Sequence, residues 1–258
     1  MQKPPQTLQE ALQVLAQQQA EIARLHQTHE AWMRAIAHDL RAPLRHVVSF
    51  APLLREAVEE LAHAAPAAAD AAQDAQEFAA TMEHAARKMS AMLEGMAQVS
   101  RAARTPLAID ALDWVALTLR VVQPLQAAHP QVQWQLPQGR AMVQADAASL
   151  QAAMEAALAN ALKFSAGQAQ PHIRVQLLPS TDGCWQWQVQ DNGVGFDSQR
   201  APSLGQLFQR MHREAEFEGA GCGLALVQTV VQRHGGQWRV QAQPQAGCTL
   251  TLVVPAAA

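Results

Sequence analysis

The stretch DNGVGF, residues 191–196, carries the strongest signal for the fold, because it joins a strand pattern to a glycine-rich turn. Residues 184–190 ahead of it alternate, with Trp185, Trp187 and Val189 on one side, as in a strand with one buried face. Two glycines in the stretch let the backbone turn tightly against a ligand. The sequence therefore predicts a binding turn at the end of a strand.

A second glycine-rich stretch, GAGCGL at residues 219–224, opens a predicted helix at 221–234. Free N–H groups and the helix dipole at such an N-terminus favour a polyphosphate. At the end of another predicted helix, Asn160 offers an oxygen for Mg²⁺ and Lys163 a cation for phosphate. Taken singly, each of these features is more often an ordinary turn or helix end.

Residues 105–258 show the mixture of strands and helices that indicates an α/β domain. The predicted strands are 107–112, 131–136, 141–144, 171–178, 184–190, 236–243 and 247–254, and the predicted helices are 113–127, 147–164 and 221–234. Asp113 and Asp146 are suitable N-caps for the first two helices. No G-x-G-x-x-G motif follows the first strand, which argues against a Rossmann unit.

The chain before Pro106 has a different composition, with Gly95 as the only glycine between residues 6 and 104. Apolar residues recur at helical spacing, first in a heptad seam from Leu8 to Ile36 and later from Phe78 to Val99. We expect two long helices joined near residues 63–67. Two such hairpins would bury their apolar stripes as a four-helix dimer. A simple antiparallel bundle or a linker fits the periodicity equally well.

The overall composition excludes several classes of protein. Of the 258 residues 49% are hydrophobic and 16% charged, and the formal net charge is −3. This content of apolar residues excludes wholesale disorder, and the charge gives no case for nucleic-acid binding. The three cysteines lie far apart, so neither a disulfide framework nor a C-x-x-C metal pair is predicted. Because no apolar run reaches about 18 residues, we expect no membrane span and a cytoplasmic protein.

The stretch AHDLRAPL, residues 37–44, places a histidine beside a carboxylate. His38 lies about 200° around a helix from Ile36, so it points away from the apolar seam. Asp39 can accept a proton and orient the ring, which makes His38 a competent nucleophile. Pro43 loosens the helix here by removing a hydrogen bond. A lone His-Asp pair is more often part of a solvated helix face.

Five of these stretches, taken in order, resemble the sequence boxes of bacterial two-component sensor histidine kinases. They are His38–Leu44, Asn160–Ser165, Asp191–Phe196, Leu207–Arg210 and Gly219–Leu224. The Phe208–His212 stretch, followed by Glu216–Gly219, is similar to the subgroup associated with phytochrome and PAS sensors. The resemblance runs from about residue 30 to residue 254.

The resemblance implies an α+β protein of two domains, a dimeric helical hairpin forming a four-helix bundle and an α/β sandwich of the Bergerat ATPase type. The implied domains are an N-terminal coiled-coil helix at 1–30, a dimerisation and phosphotransfer hairpin at 31–104 and a catalytic ATP-binding domain at 105–258. In such a protein ATP and Mg²⁺ are the cofactors.

The resemblance also assigns roles to individual residues. His38 would accept the phosphoryl group, Asp39 would assist as base, Asn160 would bind Mg²⁺, and Lys163 would reach phosphate. Residues 197–218 look like the mobile lid over ATP, with Phe208 as its apolar anchor. The implied nucleotide-binding residues are Asn160, Lys163, Phe164, Asp191, Gly193, Gly195, Phe208, Arg210, Gly219, Gly221, Gly223 and Leu224, with Asp191 reading the adenine amino group.

Two positions depart from the family pattern. Ala156 stands where a second Asn is common, and Ala42 stands where relatives with strong phosphatase activity carry Thr or Asn. The implied function is ATP-dependent autophosphorylation and transfer to the receiver domain of a response regulator. The signal would come from a separate sensor protein or from a sensor domain missing from this sequence.

Two alternatives to this function stay open. A dimeric histidine-phosphotransfer or scaffold protein with a degenerate ATP site would neither bind ATP tightly nor label itself. Another ATPase of the Bergerat type, such as a chaperone or mismatch-repair relative, would leave His38 and the hairpin unexplained.

Overall fold

A computed structural model describes residues 39–64, 69–180, 183–197, 204–212 and 216–257. Two compact units make up the chain, and the division falls between Leu93 and Glu94. His38 and the predicted coiled-coil helix at 1–30 lie outside the described residues. The domain limits given above stay a prediction.

The first unit is a helical hairpin. Helix α1 occupies residues 39–64, and helix α2 runs over Ala69–Arg104, with its last turns in the second unit. The buried positions of the hairpin are the three alanines Ala51, Ala79 and Ala86, together with Leu44 and Glu83. The buried carboxylate of Glu83 pairs with Arg87 one turn later and lies 3.8 Å from Arg55 of α1. The two helices therefore meet through a narrow interface of small residues and one ion-pair cluster.

The second unit is built on a five-stranded sheet. The strands and helices of this unit are β1 (Asp110–Asp113), α3 (Trp114–Ala128), β2 (Gln133–Gln135), β3 (Met142–Ala145), α4 (Ala147–Ser165), β4 (His172–Pro179), β5 (Cys184–Asp191), α5 (Gly223–Arg233), β6 (Gln237–Ala242) and β7 (Cys248–Pro255). The sheet order is β2-β4-β5-β7-β6, with β2 parallel to β4 and the other pairs antiparallel. Strands β1 and β3 form a separate antiparallel pair.

Helices α3, α4 and α5 share one apolar core with the inner face of the sheet. The alternation that predicts β5 as a strand places Trp187 and Val189 in that core. The indole of Trp187 donates a hydrogen bond to the hydroxyl of Thr118 over 3.1 Å, so its buried N–H group is satisfied. The same periodicity of two continues to Asp191, and this puts a carboxylate on the buried face at the end of the strand.

Both predicted N-caps are confirmed. The carboxylate of Asp113 accepts a hydrogen bond from the Val115 backbone, and that of Asp146 accepts one from the Ser149 backbone at 2.8 Å. These hydrogen bonds hold the pKa of each carboxyl below its usual value, although partial burial acts in the opposite direction.

The last turns of α2 pack against α5 inside the second unit. Arg233 donates hydrogen bonds to the carbonyl oxygens of Ala102 at 2.6 Å and Thr105 at 2.8 Å. Gly95 lies so close to Cys222 that an added Cβ would be 2.6 Å from the Cys222 Cβ. The single glycine of the helical half is thus explained by the close approach of α2 to the beginning of α5.

The predicted α+β class is confirmed, and each predicted strand and helix of residues 105–258 is present with small shifts at its ends. Within the described part of the chain, no helix is long and apolar enough to cross a membrane.

Candidate active site

Two adjoining cavities lie where the carboxyl end of β5 faces α4 and the N-terminus of α5. The larger cavity has a volume of about 230 Å³ and is lined by Asn160, Lys163 and the glycine-rich segment 219–223. The smaller cavity, about 50 Å³, is lined by Asp191 and by mainly apolar side chains of α4, β5, β6 and β7. We call the larger one the phosphate-side cavity and the smaller one the base-side cavity, after the ligand groups that their chemistry suits.

Asp191 is the buried carboxylate of the base-side cavity, with only 7% of its surface exposed. Its Oδ1 accepts a hydrogen bond from the Gly193 backbone N–H at 2.8 Å. Burial raises the pKa of Asp191 to about 6, and the hydrogen bonds from the Gly193 and Cys248 backbones offset part of that rise. At neutral pH the cavity therefore presents a fixed negative acceptor in apolar surroundings, which suits an amino group of a flat ligand.

The turn after Asp191 admits no larger residue at Gly195. Its φ is +55°, and an added Cβ would lie 1.9 Å from the Gln243 carbonyl oxygen. The backbone N–H of Gln245 donates to the Val194 carbonyl at 2.7 Å, which fixes the turn against the β6–β7 hairpin. The glycine-rich stretch that predicts a binding turn thus packs tightly against backbone and forms one rim of the base-side cavity.

The last turn of α4 provides three residues of the site. Asn160 and Phe164 line both cavities, and Lys163 lines the phosphate-side cavity. The Lys163 ammonium lies 4.3 Å from the centre of the Phe164 ring. Burial and the neighbouring charge of Arg210 lower the pKa of Lys163. Two cations converge on the phosphate-side cavity, and an anionic ligand would relieve their repulsion.

We use the name lid segment for residues 204–212 and 216–221, which form the outer wall of the phosphate-side cavity. Arg210 connects the two parts of this segment. Its guanidinium donates hydrogen bonds to the carbonyl oxygen of Gly219, at 2.8 Å, and to that of Phe217. The Phe208 N–H donates to the Gly221 carbonyl at 3.0 Å, and the φ of Phe208 is +67°. Its side chain is 39% exposed and lines neither cavity, whereas Leu204 is the buried apolar residue of the segment.

An aromatic group connects the lid segment to α4. His212 and Phe217 each contact Phe164, with ring centroids 5.2 and 5.0 Å apart, and they contact each other at 5.2 Å. Sequence reasoning missed His212 and Phe217 as site residues. Both residues lie in stretches that carry the resemblance to the phytochrome-associated subgroup, but no periodicity connects either residue to Phe164.

The N-terminus of α5 faces the phosphate-side cavity, with Gly223 and Leu224 in its wall. Cys222 occupies the N-cap position and makes no side-chain capping hydrogen bond to the helix, so the first N–H groups of α5 have no such partner. No cluster of three or more His, Cys, Asp or Glu side chains that could hold a metal ion occurs in the described ranges. Any Mg²⁺ here would depend on the Asn160 amide oxygen and on oxygens of the ligand.

The structure brings most of the predicted nucleotide-binding residues together. The predicted residues that line at least one cavity are Asn160, Lys163, Phe164, Asp191, Gly195, Arg210, Gly219, Gly221, Gly223 and Leu224. Gly193 lines neither cavity, but its backbone N–H donates a hydrogen bond to the Asp191 carboxylate. Phe208 contributes only the hydrogen bond from its backbone N–H to the Gly221 carbonyl. Asp39 lies in α1, in the other compact unit, with an exposed side chain.

Comparisons with known proteins agree with this arrangement. Residues 145–258 match the family described as histidine kinase-, DNA gyrase B-, and HSP90-like ATPase. Phytochrome-like protein Cph1 of Synechocystis sp. is 34% identical over 113 residues, which are 44% of this chain and 15% of that protein. Cyanobacterial phytochrome A of Nostoc sp. is 25% identical over 253 residues, which are 93% of this chain and 30% of that protein.

A solved structure of the mycobacterial sensor histidine kinase MprB is also similar, with 25% identity and a TM-score of 0.51. The likeness covers 58% of this chain and 98% of that one. The chain spans less than a third of the length of either phytochrome relative. The ATPase family match includes every nucleotide-binding residue predicted above.

Proposed function

We propose that this chain, a homologue of sensor histidine kinases with a Bergerat-type ATP-binding domain, uses ATP to phosphorylate its own His38. The phosphoryl group then passes to an aspartate on the receiver domain of a response regulator. Residues 145–258 match a family of ATPases, and the acceptor and the receiver are the finer steps that this proposal adds.

The observation that carries the proposal is the pairing of Asp191 with the cationic cavity beside it. A buried carboxylate in an apolar pocket can accept the adenine amino group, and apolar side chains can cover the two faces of the ring. The adjoining cavity presents Lys163, Arg210 and the N-terminus of α5, a combination that favours a triphosphate. The base-side cavity thus suits the adenine of a nucleotide, and the adjoining phosphate-side cavity suits its triphosphate.

In the proposed reaction the phosphate-side residues neutralise charge and hold the triphosphate in position. Lys163 faces the phosphates, and Arg210 can exchange its lid carbonyl partners for phosphate oxygens. Asn160 would contribute one oxygen to Mg²⁺, which supplies further charge neutralisation when it is bound. The residues of this chain bind and orient the nucleotide, and no covalent intermediate on the ATP-binding domain is needed.

The acceptor step takes place on the helical hairpin. A ring nitrogen of His38 attacks the γ-phosphorus, an N–P bond forms, and the bond to the bridging oxygen breaks so that ADP leaves. Asp39, the residue after His38 in the sequence, accepts the proton that the ring loses. A receiver aspartate then takes the phosphoryl group, and His38 is regenerated.

The hairpin supports the proposed homodimer. Large apolar side chains on α1 and α2 are exposed in the single chain, among them Phe50 at 63%, Leu61 at 66% and Phe78 at 68%. The face of α2 that meets α1 carries Ala79, Glu83 and Ala86. The apolar stripe of α2, with Phe78, Met82 and Met89, is exposed. A second hairpin would cover that stripe and complete a four-helix bundle.

The test is incubation of the purified chain with γ-labelled ATP and Mg²⁺, followed by treatment with acid and with base. We expect label on the protein that acid removes and base does not, which is the behaviour of phosphohistidine. α-Labelled ATP is the control and should leave the protein unlabelled. A protein that binds ATP weakly and takes no label would favour the phosphotransfer or scaffold alternative and refute the proposed function.

A further inference from the structure

We infer that His212 is a specificity-determining residue of the nucleotide site, the side chain through which the lid segment contacts the nucleobase in addition to the phosphates. The inference rests on the proposed function, since it concerns how the same site holds ATP. Beside Asp191, His212 would be a second residue that distinguishes a nucleoside triphosphate from a triphosphate without a base.

His212 lies where the two cavities adjoin and lines both of them. Eleven residues of the lid segment line the phosphate-side cavity, from Leu204 to Gly221. Among the described residues, His212 is the one member of the lid segment that also lines the base-side cavity. The other walls of the base-side cavity come from α4, α5, the sheet and the turn after Asp191. A lid that contacts the base must do so through this side chain.

His212 contacts two other aromatic rings of the site. Its ring contacts Phe164 at 5.2 Å with an interplanar angle of 45°, and Phe217 at 5.2 Å with an angle of 58°. It also forms a hydrogen bond to the backbone of Gly195 in the turn after Asp191. His212 therefore joins the lid segment to α4 and to the rim of the base-side cavity.

The base-side cavity is small for a nucleobase. The base-side cavity measures about 50 Å³, far below the ~300–1,000 Å³ of typical ligand pockets. A nucleobase can enter only when one wall moves, and the walls on helices and strands belong to the packed core. The two lining side chains on loops are His212 and Phe196, and Phe196 follows the turn that the Gln245–Val194 hydrogen bond fixes. The ring of His212 is therefore the wall that can turn aside. Once the base is in place, the ring can return and cover it.

The charge around His212 favours the neutral ring that such a contact needs. Burial, Lys163 and Arg210 lower the pKa of His212, whereas Glu216 and the hydrogen bond to Gly195 act in the opposite direction. A neutral imidazole stacks on a flat base without adding a third cation to the phosphate-side cavity.

The experiment compares the binding of ATP with that of inorganic tripolyphosphate, both with Mg²⁺, in the full chain by calorimetry. We expect His212→Ala to weaken ATP binding about threefold to tenfold, the range expected for one aromatic packing contact, and to leave tripolyphosphate binding unchanged. His212→Gln, which keeps a donor for Gly195 but has no ring, should resemble His212→Ala. His212→Phe, which keeps the ring, should lie closer to the wild type. The loss in affinity should appear mainly as faster ATP dissociation.

His129→Ala is the matched control, because His129 follows α3 and lines neither cavity. Equal ATP affinity in the wild type and in His212→Ala would overturn the inference. So would an equal loss of ATP and tripolyphosphate binding, since that would place the effect of His212 on the phosphate side. In both cases the proposed function stands as long as the wild type binds ATP. A wild type that binds neither ligand would refute the proposed function itself.

Discussion

Replacement of Asp191 by Asn should weaken ATP binding and reduce its dependence on pH near pH 6. In the account above the Asp191 carboxylate accepts the adenine amino group from inside an apolar cavity. The amide of Asn keeps the size of the side chain but removes the charge. Loss of a charge-assisted hydrogen bond costs about 1–3 kcal/mol, which corresponds to roughly a fivefold to 150-fold increase in Kd.

The pH dependence follows from the raised pKa of Asp191, about 6. Because the nucleotide binds the ionised carboxylate, a proton competes with it as the pH falls through that value. Wild-type affinity should be constant above about pH 7 and should decrease below pH 6, approaching tenfold per pH unit. Asp191→Asn has no proton to bind at this position, so its affinity should be low and should decrease less steeply than that of the wild type across the same range.

The same substitution should stabilise the nucleotide-free protein. A carboxyl pKa raised above its unfolded value of 3.8 means that the folded state binds the proton more tightly, so the ionised group opposes folding above about pH 6. The rise in pKa to about 6 already includes the hydrogen bonds from the Gly193 and Cys248 backbones, so it reflects the net cost of the charge, at most about 3 kcal/mol. Asn carries no charge, so above pH 6 we expect a higher free energy of unfolding for Asp191→Asn than for the wild type. This gain should shrink as the pH falls below 6.

The assay is calorimetric titration with ATP at pH 5.5, 6.5 and 7.5 for both proteins, with thermal unfolding recorded on the same samples. Protonation of the nucleotide phosphates affects both proteins equally and cancels in the comparison. Equal ATP affinity of the two proteins, or parallel pH profiles, would remove Asp191 from the adenine contact and refute the reasoning.

Three further predictions concern the hairpin and its junction with the second unit. The chain should sediment as a dimer at micromolar concentration, because burial of the exposed apolar stripe is worth roughly 25 cal/mol per Å²; a species of 27.9 kDa would contradict this. We expect low phosphatase activity toward a phosphorylated receiver domain, and Ala42→Thr should increase it. A hydroxyl four residues after His38 can hold the water molecule that attacks the phospho-aspartate. Rapid dephosphorylation by the wild type would show that another residue holds that water. Gly95→Ala should lower the free energy of unfolding by about 1–2 kcal/mol, because the clash with Cys222 exceeds the gain of about 1 kcal/mol in helix propensity. Gly95→Ala combined with Cys222→Gly should recover most of that loss, and a neutral or stabilising effect of Gly95→Ala alone would show that α2 does not need this close approach.

The strands and helices of the second unit could be predicted because their signals are local. Alternation around Trp187 and Val189 indicates β5, and Asp113 and Asp146 mark helix starts through hydrogen bonds that reach only two or three residues along the chain. Asp191 could be placed in the site because it continues the buried face of β5 into a glycine-rich turn. These features depend on neighbours in sequence, which periodicity and capping rules describe well.

Contacts between distant segments could not be predicted in this way. Cys248 meets Asp191 through the antiparallel register of β5 and β7, and burial together with that carboxylate raises the pKa of the Cys248 thiol to about 12. His212 reaches Phe164 from a loop 48 residues later in the chain, and no repeat or spacing rule specifies that contact. The sequence shows Gly95 as an isolated glycine in the helical half, but only the structure explains it, because α2 approaches Cys222 at the beginning of α5 there.

The exposure of Phe208 has a comparable cause. A phenylalanine in an apolar box suggests a buried anchor, yet its left-handed backbone turns the N–H toward the Gly221 carbonyl and leaves the ring partly in solvent. The apolar anchoring of the lid segment comes from Leu204 and from the group around Phe164.

The most direct test of the central claim is the identity of the phosphorylated residue. His38→Gln and His46→Gln should be compared for labelling by γ-labelled ATP, with ATP affinity measured on both proteins. His46 lies on the described part of α1 with an exposed side chain, which makes it a matched control. The account predicts that His38→Gln binds ATP like the wild type and takes no acid-labile label, whereas His46→Gln is labelled normally. Label retained by His38→Gln, or lost in His46→Gln, would contradict the claim that this chain phosphorylates itself on His38.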